Sequence, residues 1–318
     1  MKGTRRLLIA TLLALFALSA NGIYFALQTG IGGLHDVPEP IRGESSIRYE
    51  AKNTGVPGAG PKEQDGAENR IPPVNLMVLG LDNDKTRCDV IMLLNFDPGT
   101  SSLNILSIAR DTRVRYGRSY RKINSLYPKG GEKRVAKEVY EITGLPVHYY
   151  VTVDFKGFRE IIDTLGGVEF YVPFRMKYDD PTQDLHINLK KGLQVLDGKK
   201  AEQLIRYRKG NLRGQGYIEG DIGRIKMQQD FIRALIDQKL NIRYISKADD
   251  IFSIIKDNVK TNIEISDAAR YFSSVIRIRE ENVKTFVLPG ESHMSGDVWW
   301  YICDREKTAA MISENFRT

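Results

Sequence analysis

Apolar and polar positions divide the chain into three regimes. Leu7 to Leu27 is a run of 21 residues without a charge, enough for a bilayer core that takes roughly 20 apolar residues. From 28 to 70 no apolar period survives. That stretch holds eight Gly, four Pro and one aromatic, Tyr49, and buries too little to order itself. Beyond it, apolar blocks return at strand and helix spacing. The pattern predicts a cytoplasmic N-terminus (1–6), a transmembrane signal anchor (7–27), a flexible extracytoplasmic linker (28–71) and one domain over 72–318. Lys2, Arg5 and Arg6 orient the anchor with the domain outside the cell membrane. A cleaved signal peptide is the alternative, although Leu18 stands where a cleavage site after Ala20 wants a small residue.

Within the domain, NLMVLGLD (75–82), VIMLLNFD (90–97) and LNILSIAR (103–110) read as strands separated by turn residues. A helix is predicted over 131–143, with Val135, Val139 and Ile142 on one face. HYYVTVDF (148–155) reads as a strand. A helix over 155–165 is stopped by Gly166-Gly167, and VEFYVP (168–173) is a further strand. Asp197 is placed to cap a helix through Ala201 to Ile205. Asp221 is placed to cap another, with Ile222, Ile225, Ile232, Leu235 and Ile236 as its buried stripe. At least one more helix is expected in 247–281, and a late strand at 284–290. Strands alternating with helices argue a layered α/β domain.

Composition narrows the class. Hydrophobic residues are 42% and charged residues 27%, ordinary for a globular chain. Two cysteines, Cys88 and Cys303, make neither a disulfide framework nor a zinc site; whether they pair is left open. The formal net charge of +7 is unevenly placed. Residues 1–6 carry +3, residues 110–122 carry +5 and residues 206–226 carry +4, so the remainder is −5.

Those two arginine-rich segments suggest a phosphate-bearing partner, because guanidinium presents a planar fork that matches phosphate oxygens. Arg206 and Arg208, two apart, share a side if the segment is extended. Arg224 and Gln228, four apart, share a helix face. Asp82 and Asp89 fall at the ends of the first two strands. Such a pair suits Mg²⁺, or Mn²⁺ as the alternative, which takes one or two carboxylates together with water and substrate oxygens. DNA binding finds no support beyond net charge, since no helix-turn-helix is readable.

GLDNDKTRCDVIMLLNFDP, LNILSIARDTRV, KINSLY, LGGV, KKGLQVLDGKKAEQLIRYRKG and GDIGRIKMQQ occur in that order. In order and spacing they resemble the LytR–CpsA–Psr family over about residues 75–240. The resemblance implies an α/β/α sandwich with a central mixed sheet and a hydrophobic lipid-binding cavity. It implies a phosphotransferase that moves an anionic cell-wall glycopolymer, of teichoic acid or capsule type, from an undecaprenyl diphosphate carrier to a peptidoglycan hydroxyl. Its partners are then that lipid-linked glycopolymer, peptidoglycan and, through the N-terminal helix, the membrane, with no nucleic acid. Asp82 and Asp89 match the metal carboxylates. Arg110, Lys122, Arg206, Arg208, Arg224 and Gln228 match the diphosphate-binding set, and Arg110, Asp221 and Arg224 the catalytic positions. Arg87 and Asp111 also fall on motif positions, and Asp111 and Asp221 are alternative proton acceptors. The chain departs from the family pattern at Cys88, Ala109 and Met227. A polyprenyl diphosphate hydrolase and a non-catalytic lipid-diphosphate binding module are the competing readings.

Overall fold

The structure, a computed structural model, describes residue 41 and residues 71–82, 84–181, 185–212, 214–239, 258–275 and 277–316. The predicted anchor lies outside the described residues, as does the predicted linker apart from Ile41 and Ile71. Among the described residues no helix is long and apolar enough to cross a membrane. Ile41 pairs with Val147 through two backbone hydrogen bonds.

The domain grows from a hairpin. Strand β1 (Val74–Leu81) pairs antiparallel with β2 (Cys88–Asp97), and β2 with β3 (Ser102–Ser107). Successive side chains of a strand point to opposite faces. Val74 and Leu76 therefore enter one core, Met77 and Leu79 the other. A small hairpin, β4 (Arg113–Tyr116) and β5 (Ser119–Lys122), leads into a 3-10 turn (Ile123–Lys129) and α1 (Gly131–Thr143). The chain then returns as β6 (Tyr149–Val153), parallel to β1.

Helix α2 (Phe155–Thr164) starts where the Asp154 side chain accepts a hydrogen bond from Gly157 N at 2.8 Å. It ends at Gly166 and Gly167, both at positive φ. A Cβ on Gly167 would lie 2.9 Å from Leu196 O, so only glycine fits that turn. Two side hairpins follow: β7 (Val168–Val172) with β10 (Gly192–Leu196), and β8 (Met176–Asp180) with β9 (Leu185–Leu189). As the sequence predicts, Asp197 caps α3 (Gly198–Arg206), accepting from Lys200 N at 2.8 Å. Helix α4 (Asp221–Lys239), β11 (Val259–Thr261), α5 (Ile265–Val275), β12 (Val283–Val287), hairpin β13 (Gly290–Ser295)–β14 (Val298–Cys303) and α6 (Arg305–Asn315) complete the domain.

The central sheet runs β11-β6-β1-β2-β3-β12 and is mixed. Helices α2, α3, α4 and α5 supply one core with Ile162, Leu204, Phe231 and Tyr271. Helix α1, the 3-10 turn and α6 cover the opposite face, where Val135, Val139 and Leu126 are fully buried. The three layers form the expected α/β/α sandwich. Each fully buried Leu or Ile of the central strands contributes about 1.5–3 kcal/mol. Between the sheet and α5 lies a cavity of about 30 Å³ lined by Leu76, Leu94, Phe96, Leu103 and Tyr271 among others. Its surface is almost wholly apolar.

Two local expectations change. The third strand, predicted to reach Arg110, stops at Ser107, and this releases Arg110 into a turn. Asp221 begins α4, but neither of its carboxylate oxygens accepts a hydrogen bond. It is therefore not a capping side chain; it faces guanidinium groups instead. Of the predicted stripe, Ile225 and Leu235 are buried and Ile222 and Ile232 half-buried, while the Ile236 side chain lies outside the described residues. Cys88 is buried and free, and Cys303 is free.

Candidate active site

At the β1–β2 end of the sheet, Thr86 and Arg87 gather around one carboxylate. Asp82 Oδ1 accepts from Thr86 N (2.8 Å) and Arg87 N (3.1 Å), and Oδ2 accepts from Thr86 Oγ1 (3.1 Å). Leu81 pairs with Cys88, so Asp82 and Asp89 lie at neighbouring strand ends. Both carboxylates bear on the Cys88 thiol: burial first, then Asp89 and Asp82, push it well above its ordinary value.

Arg110 Nη1 donates to Asp89 Oδ1 at 2.6 Å. Burial works against the Arg110 charge, but Asp89 and then Asp221 outweigh it and hold the guanidinium above its usual pKa. Lys122, at the end of β5, pairs with Asp111 at 3.1 Å. Arg208 follows α3 and stands 3.8 Å from Asp221, with its side chain 39% exposed. These groups meet in one cavity of about 500 Å³, into which Arg87, Arg110, Lys122 and Arg208 bring four cations and Asp111 and Asp297 two carboxylates.

Behind Arg208 the charges are buried. Arg224 is 4% exposed and lies 2.8 Å from Asp221 Oδ1. The contact is an ion pair without hydrogen-bond geometry: Asp221 accepts no hydrogen bond, and neither Arg110 Nε nor Arg224 Nε donates one. Burial, then the charge of Arg110, pushes the Arg224 pKa down, against the pull of Asp221. Buried polar atoms without partners are costly and concentrate where function requires them.

The structure separates some residues that the sequence groups. Arg206 is the last residue of α3, not part of an extended segment, so it does not share a side with Arg208. It donates to Glu202 Oε1 at 2.8 Å, stacks over the Phe155 ring at 4.6 Å and faces a second cavity of about 640 Å³. Gln228 is buried and donates to Ile205 O at 2.9 Å, so it holds the end of α3 from which Arg206 and Arg208 depart. Of the cations in 110–122, only Arg110 and Lys122 line the cavity. Arg113 and Arg121 stack on Tyr120 and Tyr116 of the β4–β5 hairpin.

Sequence reasoning missed Glu202, which pairs with both Arg206 and Arg159. Its four-residue spacing from Arg206 was the available signal. It also missed Gln229, which ties α4 to Ser107 Oγ and Phe286 O, each at 2.9 Å, and the rim residues Asp297 and Trp299.

The arginine-lined cavity sits on a chain whose residues 46–317 match the LytR_cpsA_psr family. The chain belongs to that family. It is 29% identical over 258 residues to the polyisoprenyl-teichoic acid–peptidoglycan teichoic acid transferase TagU of Bacillus subtilis strain 168, covering 80% of each chain. It is 31% identical to TagU of Oceanobacillus iheyensis, covering 76% of this chain and 74% of that one. TagV of Bacillus subtilis strain 168, a transferase of the same description, is 34% identical over 205 residues, 61% of this chain and 51% of its own length. The present chain thus matches about half of that relative. The crystal structure of Bacillus subtilis TagV superposes with a TM-score of 0.64 at 28% identity, covering 78% of this chain and 99% of that one. A structure of TagT bound to LIIa-WTA superposes with a TM-score of 0.60 at 25% identity, covering 76% and 89%.

Proposed function

We propose that this chain transfers a teichoic acid-type or capsule-type glycopolymer from an undecaprenyl diphosphate carrier to a peptidoglycan hydroxyl, on the outer side of the cell membrane. The observation that carries the reading is the convergence of Arg110, Lys122 and Arg208 on one cavity, with the buried Arg224–Asp221 pair behind it. Preorganised cations of this kind stabilise charge developing on a transferred phosphoryl group. The named relatives are transferases of this class.

In this reading the diphosphate lies across Arg110, Lys122 and Arg208, and the peptidoglycan hydroxyl attacks the phosphorus that carries the glycan. The bond to the bridging oxygen breaks and the polyprenyl monophosphate leaves. The hydroxyl proton passes to Asp111, which lines the cavity beside its partner Lys122, whereas Asp221 lies behind the cavity wall against Arg224. The lipid chain enters between the sheet and the α2–α5 layer, on the side of the apolar cavity lined by Leu76, Leu94 and Tyr271.

Among the described residues no three metal-binding side chains cluster. Asp82 and Asp89, two hard oxygen donors at one sheet end, still fit a Mg²⁺ that draws its other ligands from water and substrate phosphate. Such an ion would neutralise diphosphate charge beside Arg110.

The test incubates the full-length chain with labelled lipid-diphosphate glycan and peptidoglycan fragments, with and without Mg²⁺. Joined product is the expected result. Free phosphoglycan would mean a hydrolase, and retained unreacted lipid a binding module; either overturns the proposal.

A further inference from the structure

Hairpin β13–β14 borders the arginine-lined cavity, and its placement follows from one residue. Tyr301 is buried, its N–H donates to Asp111 O at 2.9 Å, and its hydroxyl donates to Leu288 O at 2.6 Å. It also forms a parallel bridge with Thr112. Tyr301 therefore fixes β14 against the very turn that carries Arg110 and Asp111. Trp299 lies two residues earlier, so it projects from the same face of the strand, past the end of the packed core. There it lines the cavity together with Arg110, Lys122 and Arg208, and it is 51% exposed. A half-exposed indole is costly surface for a molecule to present to water, and its rigid flat face is a recognition device. Asp297, at the same rim, adds a carboxylate that can accept hydrogen bonds from hydroxyls.

We propose that Trp299 is a sugar-stacking, specificity-determining residue. Its ring packs against the C–H face of an N-acetylhexosamine, while the arginines hold the phosphate and Asp297 takes a ring hydroxyl. The inference rests on the transfer reading above, and names the sugar platform of that site. An N-acetylhexosamine can come from the acceptor peptidoglycan or from the donor beside its diphosphate; both share the pyranose face. The exposed neighbours Met294 and Val298 raise one rival occupant, a lipid surface. The position of Trp299 on the cavity wall beside four cations favours the sugar.

The chain has two tryptophans, so the Trp300→Phe variant of the full-length chain in detergent leaves Trp299 as the sole indole reporter. Titration with a soluble peptidoglycan disaccharide, or with a short-prenyl diphosphate N-acetylhexosamine, is expected to quench and blue-shift its emission. In the transfer assay Trp299→Ala should raise KM about tenfold with kcat little changed, and Trp299→Phe should recover most of the loss. A rise in acceptor KM assigns the acceptor sugar, and a rise in donor KM the donor sugar. Pyrophosphate binding, followed calorimetrically, should be the same in Trp299→Ala and the parent. Unchanged emission with both sugars, an unchanged KM, or a shift produced only by phospholipid vesicles would overturn the proposal. Loss of transfer in the parent would strike the transfer reading instead, and the fluorescence titration does not depend on it.

Discussion

Arginines that look equivalent in sequence do different work according to burial. Arg208 is partly exposed and its nearest carboxylate is 3.8 Å away, so removing it strands no buried charge. Arg208→Ala should lower kcat by about 10²–10³-fold and leave the urea midpoint at the parent value. Arg224 is the opposite case. It is buried beside Asp221, and its loss leaves a carboxylate uncompensated inside the protein. Arg224→Ala should therefore cost about 3–5 kcal/mol of stability as well as activity. The sequence does not foretell this cost, because helical spacing shows which face Arg224 and Gln228 share and not how deeply they sit. Urea unfolding of the two variants side by side checks the distinction: equal midpoints would show that Arg224 is not a buried partner. Asp221→Asn combined with Arg224→Met should recover stability without recovering transfer, since it removes both charges together.

Elements place these residues, and their ends are where sequence and structure agree or part. Asp154 caps α2 and also pairs at 2.9 Å with Lys85 of the 82–87 loop. Asp154→Ala should cost about 1 kcal/mol through the lost cap. Asp154→Asn should cost little, because Asn still caps and Lys85 is 62% exposed, where an ion pair is worth little. Chemical denaturation that finds the two variants equally destabilised would assign the effect to the ion pair. The cap at Asp197, the stop at Gly166-Gly167 and the apolar strands β1, β2 and β3 were legible because each is a local signal, whereas the Asp154 cap emerged only with the structure. The hairpins β4–β5, β8–β9 and β13–β14 were not legible. Arg113, Arg115 and Arg121 mask the alternation in the first, and β13 is half-buried at its first residue and exposed beyond it. The candidate site residues were nameable from motif order. That Arg206 and Arg208 face different cavities was not, since it depends on α3 running through Arg206 before the chain extends.

At the scale of the whole molecule, one carboxylate joins parts far apart in sequence. Glu132 opens α1 and is 4% exposed. Its Oε2 accepts from Lys260 Nζ of β11 at 2.7 Å, and its Oε1 from Tyr127 Oη at 2.9 Å and Thr152 Oγ1 of β6 at 3.3 Å. It therefore fastens α1 and the 3-10 turn to the β6–β11 edge of the sheet. Burial alone would push the Glu132 carboxyl up. The Lys260 hydrogen bond, the Glu132 backbone amide and the Tyr127 hydroxyl together outweigh burial and hold it below its ordinary value of 4.5. A depressed folded-state pKa stabilises the fold at any pH above the unfolded value, and that contribution is lost as pH falls through the folded value. Glu132→Gln should thus be less stable than the parent at pH 7, by roughly 1–2 kcal/mol given that Lys260 is largely solvated. The gap should close progressively below about pH 4.5, as the parent's own carboxylate takes up its proton. Urea midpoints of both proteins at several pH values between 7 and 3 read this directly. A gap that stays constant through the acid range would show that Glu132 acts by packing alone and not by its charge.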